Sequence, residues 1–263
     1  GRQVGVEDPL EVRRNAEQPA IAAAAGIAVA LVGLLRSALL KRFESSSHAF
    51  VRTVERMVEQ HRHFLEALDR GYVVTAGILE EWSEVDTDEE YEALLASSGS
   101  SPAARYHQED LEAAVRQDLE LLRGFLQRTR VISMDQDPKL RALREELVEI
   151  LDQAVEDGRT EDERCNNRKV LLFSYYTDTV AWVETYLRQQ IEQDPRLAAY
   201  RGRIASVSSQ DSRGGISRDA AIAGFAPVST EAPPQAAENL YDILITTDVL
   251  AEGQNLQQCR NII

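Results

Sequence analysis

Two short apolar runs constrain this chain more than anything else in it. Lys169-Val-Leu-Leu-Phe173 and Tyr241-Asp-Ile-Leu-Ile245 are continuous rather than alternating, with charged or polar residues at their flanks. A strand solvated on one face alternates apolar and polar side chains. An unbroken run of this length marks a strand covered on both faces, as in parallel sheets sandwiched by helices. Between and after the two runs, Thr177–Gln190 carries Val180, Val183 and Leu187 at helical spacing, Ile204–Val207 reads as a weaker strand, Ser217–Phe225 as a short helix, and Arg260-Asn-Ile-Ile263 as the opening of another strand. Strand and helix in alternation predict a parallel sheet with crossover connections.

The residues before this region read as helices. Ala20–Leu35 is rich in Ala, Leu and Val. Leu39, Leu40, Phe43, Phe50, Val51, Val54, Met57 and Val58 follow with a spacing near 3.6, which fits one long amphipathic helix or two in series. Ala20–Leu35 is too short and too interrupted by Gly26 and Gly33 for the roughly 20 apolar residues of a bilayer span, so a buried helix is expected and no membrane partner. Gly71 is expected to end this block, and Ser97-Ser98-Gly99-Ser100-Ser101-Pro102 to form a connector. A second apolar stripe runs from Leu111 to Leu126. A third follows Asp137-Pro138, where Asp137 suits a cap and Pro138 a first helical turn. The predicted organisation is therefore an α/β protein: a helical region over 1–136, then a parallel sheet with flanking helices over 137–263.

Charge divides the same way. The chain has 29 Lys and Arg against 44 Asp and Glu, a net charge of −15, yet residues 166–263 hold 9 bases and 11 acids and are almost neutral. Glu80, Glu81, Glu84, Asp86, Asp88, Glu89, Glu90 and Glu92 stand together with no base among them, a solvated face or a protein-docking surface rather than a phosphate-binding one. Two cysteines, Cys165 and Cys259, exclude a disulfide scaffold and a multi-cysteine zinc site. With no basic, apolar leader at the start of the sequence, a cytoplasmic address is expected. His61 and His63 lie two apart on a helix and point to opposite sides, so no metal site is expected from them. None of the three lysines (Lys41, Lys139, Lys169) follows a glycine, which removes a Gly-Lys-Ser/Thr phosphate loop.

The chemistry-bearing residues follow the two apolar runs, since ligands of open parallel sheets bind beyond the carboxyl ends of the strands. The first run ends in Ser174-Tyr-Tyr-Thr-Asp178 and the second in Thr246-Thr-Asp-Val-Leu-Ala-Glu-Gly-Gln-Asn-Leu256. Hydroxyls at either place can hold a phosphate oxygen, or Thr177 or Asp178 can simply cap the next helix.

At these residues a family resemblance emerges. Leu244-Ile-Thr-Thr-Asp-Val-Leu-Ala-Glu-Gly-Gln-Asn-Leu256 resembles the fifth conserved motif of superfamily-two helicases in its Swi/Snf-like form, and Arg168-Lys-Val-Leu-Leu-Phe-Ser-Tyr-Tyr-Thr-Asp-Thr179 the fourth. Asp137-Pro-Lys-Leu140 is similar to the lead-in of the second RecA-like lobe, and Ser217–Pro227 to the element between the two motifs. Leu34–Ser46 is similar to the inter-lobe segment of bacterial members, including phage-defence helicases; together the likeness spans about residues 31–65 and 137–263. It implies an ATP-dependent helicase or translocase acting on double-stranded DNA rather than RNA. Ser174 and Thr247 would contact nucleic-acid phosphates, Asp248 and Glu252 would couple that contact to the nucleotide cleft, and Gly253 and Asn255 would lie by the ATP ribose or the inter-lobe hinge.

The departures are equally specific. The phosphate loop is missing, and the acid pairs Asp88-Glu89 and Asp162-Glu163 lack the preceding apolar strand of a Mg²⁺-holding motif. The arginine-bearing sixth motif does not occur before Ile263. The expectation is a truncated RecA-like second lobe with a helical insertion, partnered by a first lobe, with ATP and Mg²⁺ used by the intact motor and neither bound nor hydrolysed by this chain alone. The competing expectations are a non-catalytic adaptor whose acidic helices bind a protein around a degenerate nucleotide fold, and a helical interaction protein with no nucleotide link.

Overall fold

The computed structural model describes residues 33–75, 77–78, 99–207, 216–230, 238–247 and 256–263. Most of Ala20–Leu35, the acidic run 80–92, Ser97 and Ser98 lie outside these residues, as do Asp248, Glu252, Gly253 and Asn255.

The first apolar stripe resolves into two helices in series, α1 over 33–45 and α2 over Ser47–Asp69. The break is chemical: Ser46 is extended and its hydroxyl accepts from the Ala49 amide at 3.0 Å, capping α2. Gly71 closes the helix at φ +88, a left-handed conformation that glycine adopts without strain. Helix α3 (Gln108–Thr129) packs along α2 through Val54, Val58, Leu119, Leu122 and Leu126.

One expectation in this half is corrected. Ser100–Pro102, read as connector, is a strand (β2) paired antiparallel with β1 (Tyr72–Val74). The backbone decides against composition here: Thr75 donates to Gly99 and Ala103 to Gly71 at 3.0 and 2.8 Å. Pro102, unable to donate, sits at the end of the strand, where that costs no ladder bond.

The α/β half opens with α4 (Pro138–Asp157), where the Asp137 carboxylate caps the Lys139 and Leu140 amides as expected. A seven-residue helix, α5 (Glu161–Asn167), follows with the reciprocal cap Thr160…Glu163; Asp162 and Glu163 therefore belong to a helix start. Next come β3 (Val170–Phe173), α6 (Thr177–Gln193), β4 (Ile204–Val207), α7 (Arg218–Phe225), β5 (Ile243–Thr246) and β6 (Asn261–Ile262). The four strands form one parallel sheet in the order β4-β5-β3-β6, with Val170, Ile204 and Ile243 in register. The expected α/β class with a parallel sheet and flanking helices is thus present.

Period-two geometry sorts the strand side chains to two faces. Val170, Leu172, Ile204, Ile243 and Ile245 pack under α4 and α6 with Leu147, Leu187 and Tyr186. Leu171, Ala205, Val207 and Leu244 pack under α7 with Ile222 and Phe225. Burial of both faces accounts for the continuous apolar runs. No helix among the described residues is long and apolar enough to cross a membrane.

Candidate functional site

At the carboxyl edge of the sheet, β3 and β5 are neighbours. Phe173 is in register with Thr246, and the Ser174 amide donates to the Thr246 carbonyl at 3.0 Å, so Ser174 and Thr247 stand one step beyond the ladder on adjacent strands. From β3 the chain passes into α6, which packs on one face of the sheet, while Leu256 and Cys259 pack on the face covered by α7. The carboxyl ends of the strands are where open α/β sheets bind ligands.

The two hydroxyls differ. Ser174 is half-buried, and among the described residues its Oγ makes only long local contacts at 3.4 Å with the amide and carbonyl of Tyr176. Thr247 is 5% exposed, and its Oγ1 is buried with no hydrogen-bond partner among the described residues. Leaving such a hydroxyl unmatched costs about 1–3 kcal/mol, and because the atom is buried an acceptor reaches it only when its surroundings move. Its neighbour Thr246 spends its hydroxyl on the Thr247 carbonyl at 2.9 Å.

The capping alternative for this turn does not hold. Tyr176 is the N-cap of α6 and no side chain caps it; Thr177 begins the helix and Asp178 lies in its first turn. Asp178 instead takes the Arg42 guanidinium at 3.1 Å, with Arg56 at 3.9 Å. Arg42 also lies 4.5 Å above the Tyr176 ring, and Tyr175 meets Tyr176 edge-on at 5.0 Å with 75% of Tyr175 exposed.

Helices α1 and α2 are tied to α6 at this turn. Ser45 and Ser46 Oγ each lie 2.8 Å from Thr179 Oγ1, and Lys139 Nζ donates to the Glu44 carbonyl. His48 stacks on Trp182 at 4.8 Å and 7°, and Trp182 Nε1 donates to Asp137 at 3.4 Å. Burial lowers the His48 pKa, helped by Arg52 and opposed by Asp178 and Glu55. Sequence reasoning missed this docking because its partners are 95 to 134 residues apart; the Ser45-Ser46-Ser47 run was the one local signal of a helix break. His61 spends its Nδ1 on the Met57 carbonyl, and no group of metal-ligating side chains occurs among the described residues.

The amino edge holds a different cluster. Asp242, 0% exposed, accepts from Arg203 Nε at 2.6 Å and Arg168 Nε at 2.7 Å, with Lys169 Nζ at 3.8 Å. Lys169, also 0% exposed, donates to Asn239 Oδ1 and the Tyr241 carbonyl at 2.7 and 2.8 Å. Burial alone raises the Asp242 pKa, but the hydrogen bonds from Arg203 and Arg168 outweigh it and hold the carboxyl below its ordinary range. Burial lowers the Lys169 pKa despite the attraction of Asp242. This clasp ties the starts of β3, β4 and β5 together at the far end of the strands from Ser174 and Thr247. Cys259 lies near it, its thiol pushed up by burial, with Sγ toward the Asn261 carbonyl at 3.2 Å.

No protein-family model matches the chain, and no curated protein matches it.

Proposed function

We propose that this chain supplies the second, RecA-like motor lobe of an ATP-dependent helicase or translocase of the Swi/Snf-like type. In this reading it grips the sugar–phosphate backbone of DNA at the carboxyl ends of β3 and β5. The observation that carries the proposal is the adjacency of Ser174 and Thr247 at the carboxyl ends of neighbouring strands, with the Thr247 hydroxyl buried and without a partner among the described residues. A translocating protein needs contacts that carry no sequence information, and neutral hydroxyls and backbone amides aimed at phosphates are of that kind. The resemblance places Asp248, Glu252, Gly253 and Asn255 on the path from this grip toward a nucleotide. The triphosphate has no cradle here, since none of the three lysines follows a glycine and Lys169 is spent in the amino-edge clasp. ATP and Mg²⁺ therefore belong, in this proposal, to the partnering first lobe, and the chain alone does not turn ATP over.

The test is anisotropy of a labelled random-sequence duplex across a salt series, with Ser174→Ala and Thr247→Val. A hydroxyl bonded to a charged phosphate contributes about 1.5–3 kcal/mol, so each substitution weakens binding roughly 10- to 150-fold. It does so without changing the salt slope, because no counterion-releasing charge is lost. Thr247→Val leaves the fold at least as stable, since it removes an unmatched hydroxyl. Failure to bind duplex at low salt, unchanged binding by both variants, or ATP turnover by the chain alone overturns the proposal.

A second reading, a protein-docking role for the helical half, draws on its exposed apolar side chains: Leu40, Phe43, Leu121 and Phe125 are 52, 47, 56 and 38% exposed. Absent DNA binding together with stable capture of a protein partner on that face selects it.

A further inference from the structure

Beside the Ser174 turn lies a cavity of about 620 Å³, in the size range of small-molecule pockets. One wall is the stripe Leu34, Ser37, Ala38 and Lys41 on α1; the other is Tyr175 and Tyr176. We propose that this cavity takes an unpaired nucleobase of a single strand, stacked on the Tyr175 ring, with the Lys41 ammonium on the adjoining phosphate. This rests on the motor-lobe reading and sharpens it: the lobe acts on strand ends or forks, not only on intact duplex.

Three features argue for that occupant. Tyr175 is held edge-on to Tyr176, which Arg42 pins from its ring face, so the aromatic pair is fixed in place while Tyr175 stays 75% exposed. A fixed, exposed aromatic beside a backbone-binding turn is the stacking platform of single-strand binders. The other wall is apolar at Leu34 and Ala38, as a base face requires, and Lys41 makes no ion pair among the described residues. Glu44 also lines the cavity, and a carboxylate there accepts from the N–H groups of an unpaired base while repelling a phosphate placed against it. The cavity is separate from the two hydroxyls at the strand ends: Ser174 and Thr247 do not line it.

The experiment measures binding of the whole chain to a blunt duplex, to the same duplex with a single-stranded extension carrying 2-aminopurine, and to a free mononucleotide. The expected result is tighter binding of the extended duplex and quenching of the 2-aminopurine. Tyr175→Ala, a change at an exposed ring, then costs about fivefold to 150-fold on the extended duplex only. Tyr175→Phe keeps the preference, and Lys41→Ala lowers the single-strand salt slope by about 0.7. Equal binding of both duplexes, or a preference that survives Tyr175→Ala, overturns the inference while leaving the motor-lobe reading standing. Saturation of the cavity by the free mononucleotide at the oligonucleotide's affinity overturns it as well, in favour of a small-molecule site. Absence of any DNA binding overturns both.

Discussion

Replacing Asp242 by Asn removes the buried anion from the amino-edge clasp and leaves Arg168 only the exposed Glu161 at 3.7 Å among the described acids. The carboxylate is fully buried and faces Arg203 at 2.6 Å, Arg168 at 2.7 Å and Lys169 at 3.8 Å. The guanidinia can turn toward water, since their side chains are 26 and 17% exposed, but Lys169 at 0% cannot. Its ammonium keeps Asn239, the Tyr241 carbonyl and the Phe225 ring 5.0 Å away, all neutral. Stranding a buried charge by removing its partner costs about 3–5 kcal/mol. At about 2–4 °C per kcal/mol for a chain of this size, Tm falls by roughly 6–20 °C. Urea unfolding measures the loss, and Asp242→Asn/Lys169→Met supplies the cycle. With the stranded ammonium gone, the double variant recovers at least about 1 kcal/mol, a coupling typical of residues in contact. The pH dependence has a defined sign. The Asp242 carboxyl is held below its ordinary range, so its contribution is full above the unfolded pKa near 3.9 and is lost as pH falls through the folded value. Wild type and Asp242→Asn therefore converge in acid. A loss under about 1 kcal/mol, or two substitutions that simply add, refutes the reasoning.

The other predictions concern the docking of α2 on α6 and the packing of α7 at the entry to β5. His48 is favoured neutral in the folded state by burial, so the unfolded chain protonates first as pH falls below about 6.5. The urea midpoint therefore drops between pH 7.5 and 5.5, and His48→Phe, which keeps a ring against Trp182, flattens that drop. A Cβ at Gly224 would lie 2.8 Å from the Tyr241 ring, while the Gly224 carbonyl receives the Leu240 and Tyr241 amides at 2.8 and 3.1 Å. Overpacking at this entry to β5 costs about 1–3 kcal/mol, more than the up to about 1 kcal/mol that alanine adds to helix propensity, so Gly224→Ala lowers Tm in calorimetry.

What the sequence revealed was local or doubly buried. β3 and β5 announced themselves because both faces are covered, and Asp137 and Gly71 because caps and turns use short-range chemistry. The Thr160…Glu163 cap of α5 was equally local and was passed over. The order β4-β5-β3-β6 was not legible, since it depends on which strands pair across long connections. Charged flanks were visible at both apolar runs, but only the fold shows that Lys169 and Asp242 point inward and meet. The docking of Ser46 on Thr179 and of Arg42 on Asp178 joins residues 133 and 136 apart, beyond any pattern along the chain. Of the candidate site, the adjacency of Ser174 and Thr247 followed once β3 and β5 paired.

The central claim, that the carboxyl ends of β3 and β5 grip nucleic acid, is tested most directly by NMR of the Thr247 methyl and the Ser174 amide during titration with random-sequence DNA at low salt. The account predicts that both signals shift in step with saturation and that the Val170 and Ile243 signals at the opposite ends of the same strands stay in place. Binding that leaves Ser174 and Thr247 unmoved while signals of α2 and α3 shift would contradict it.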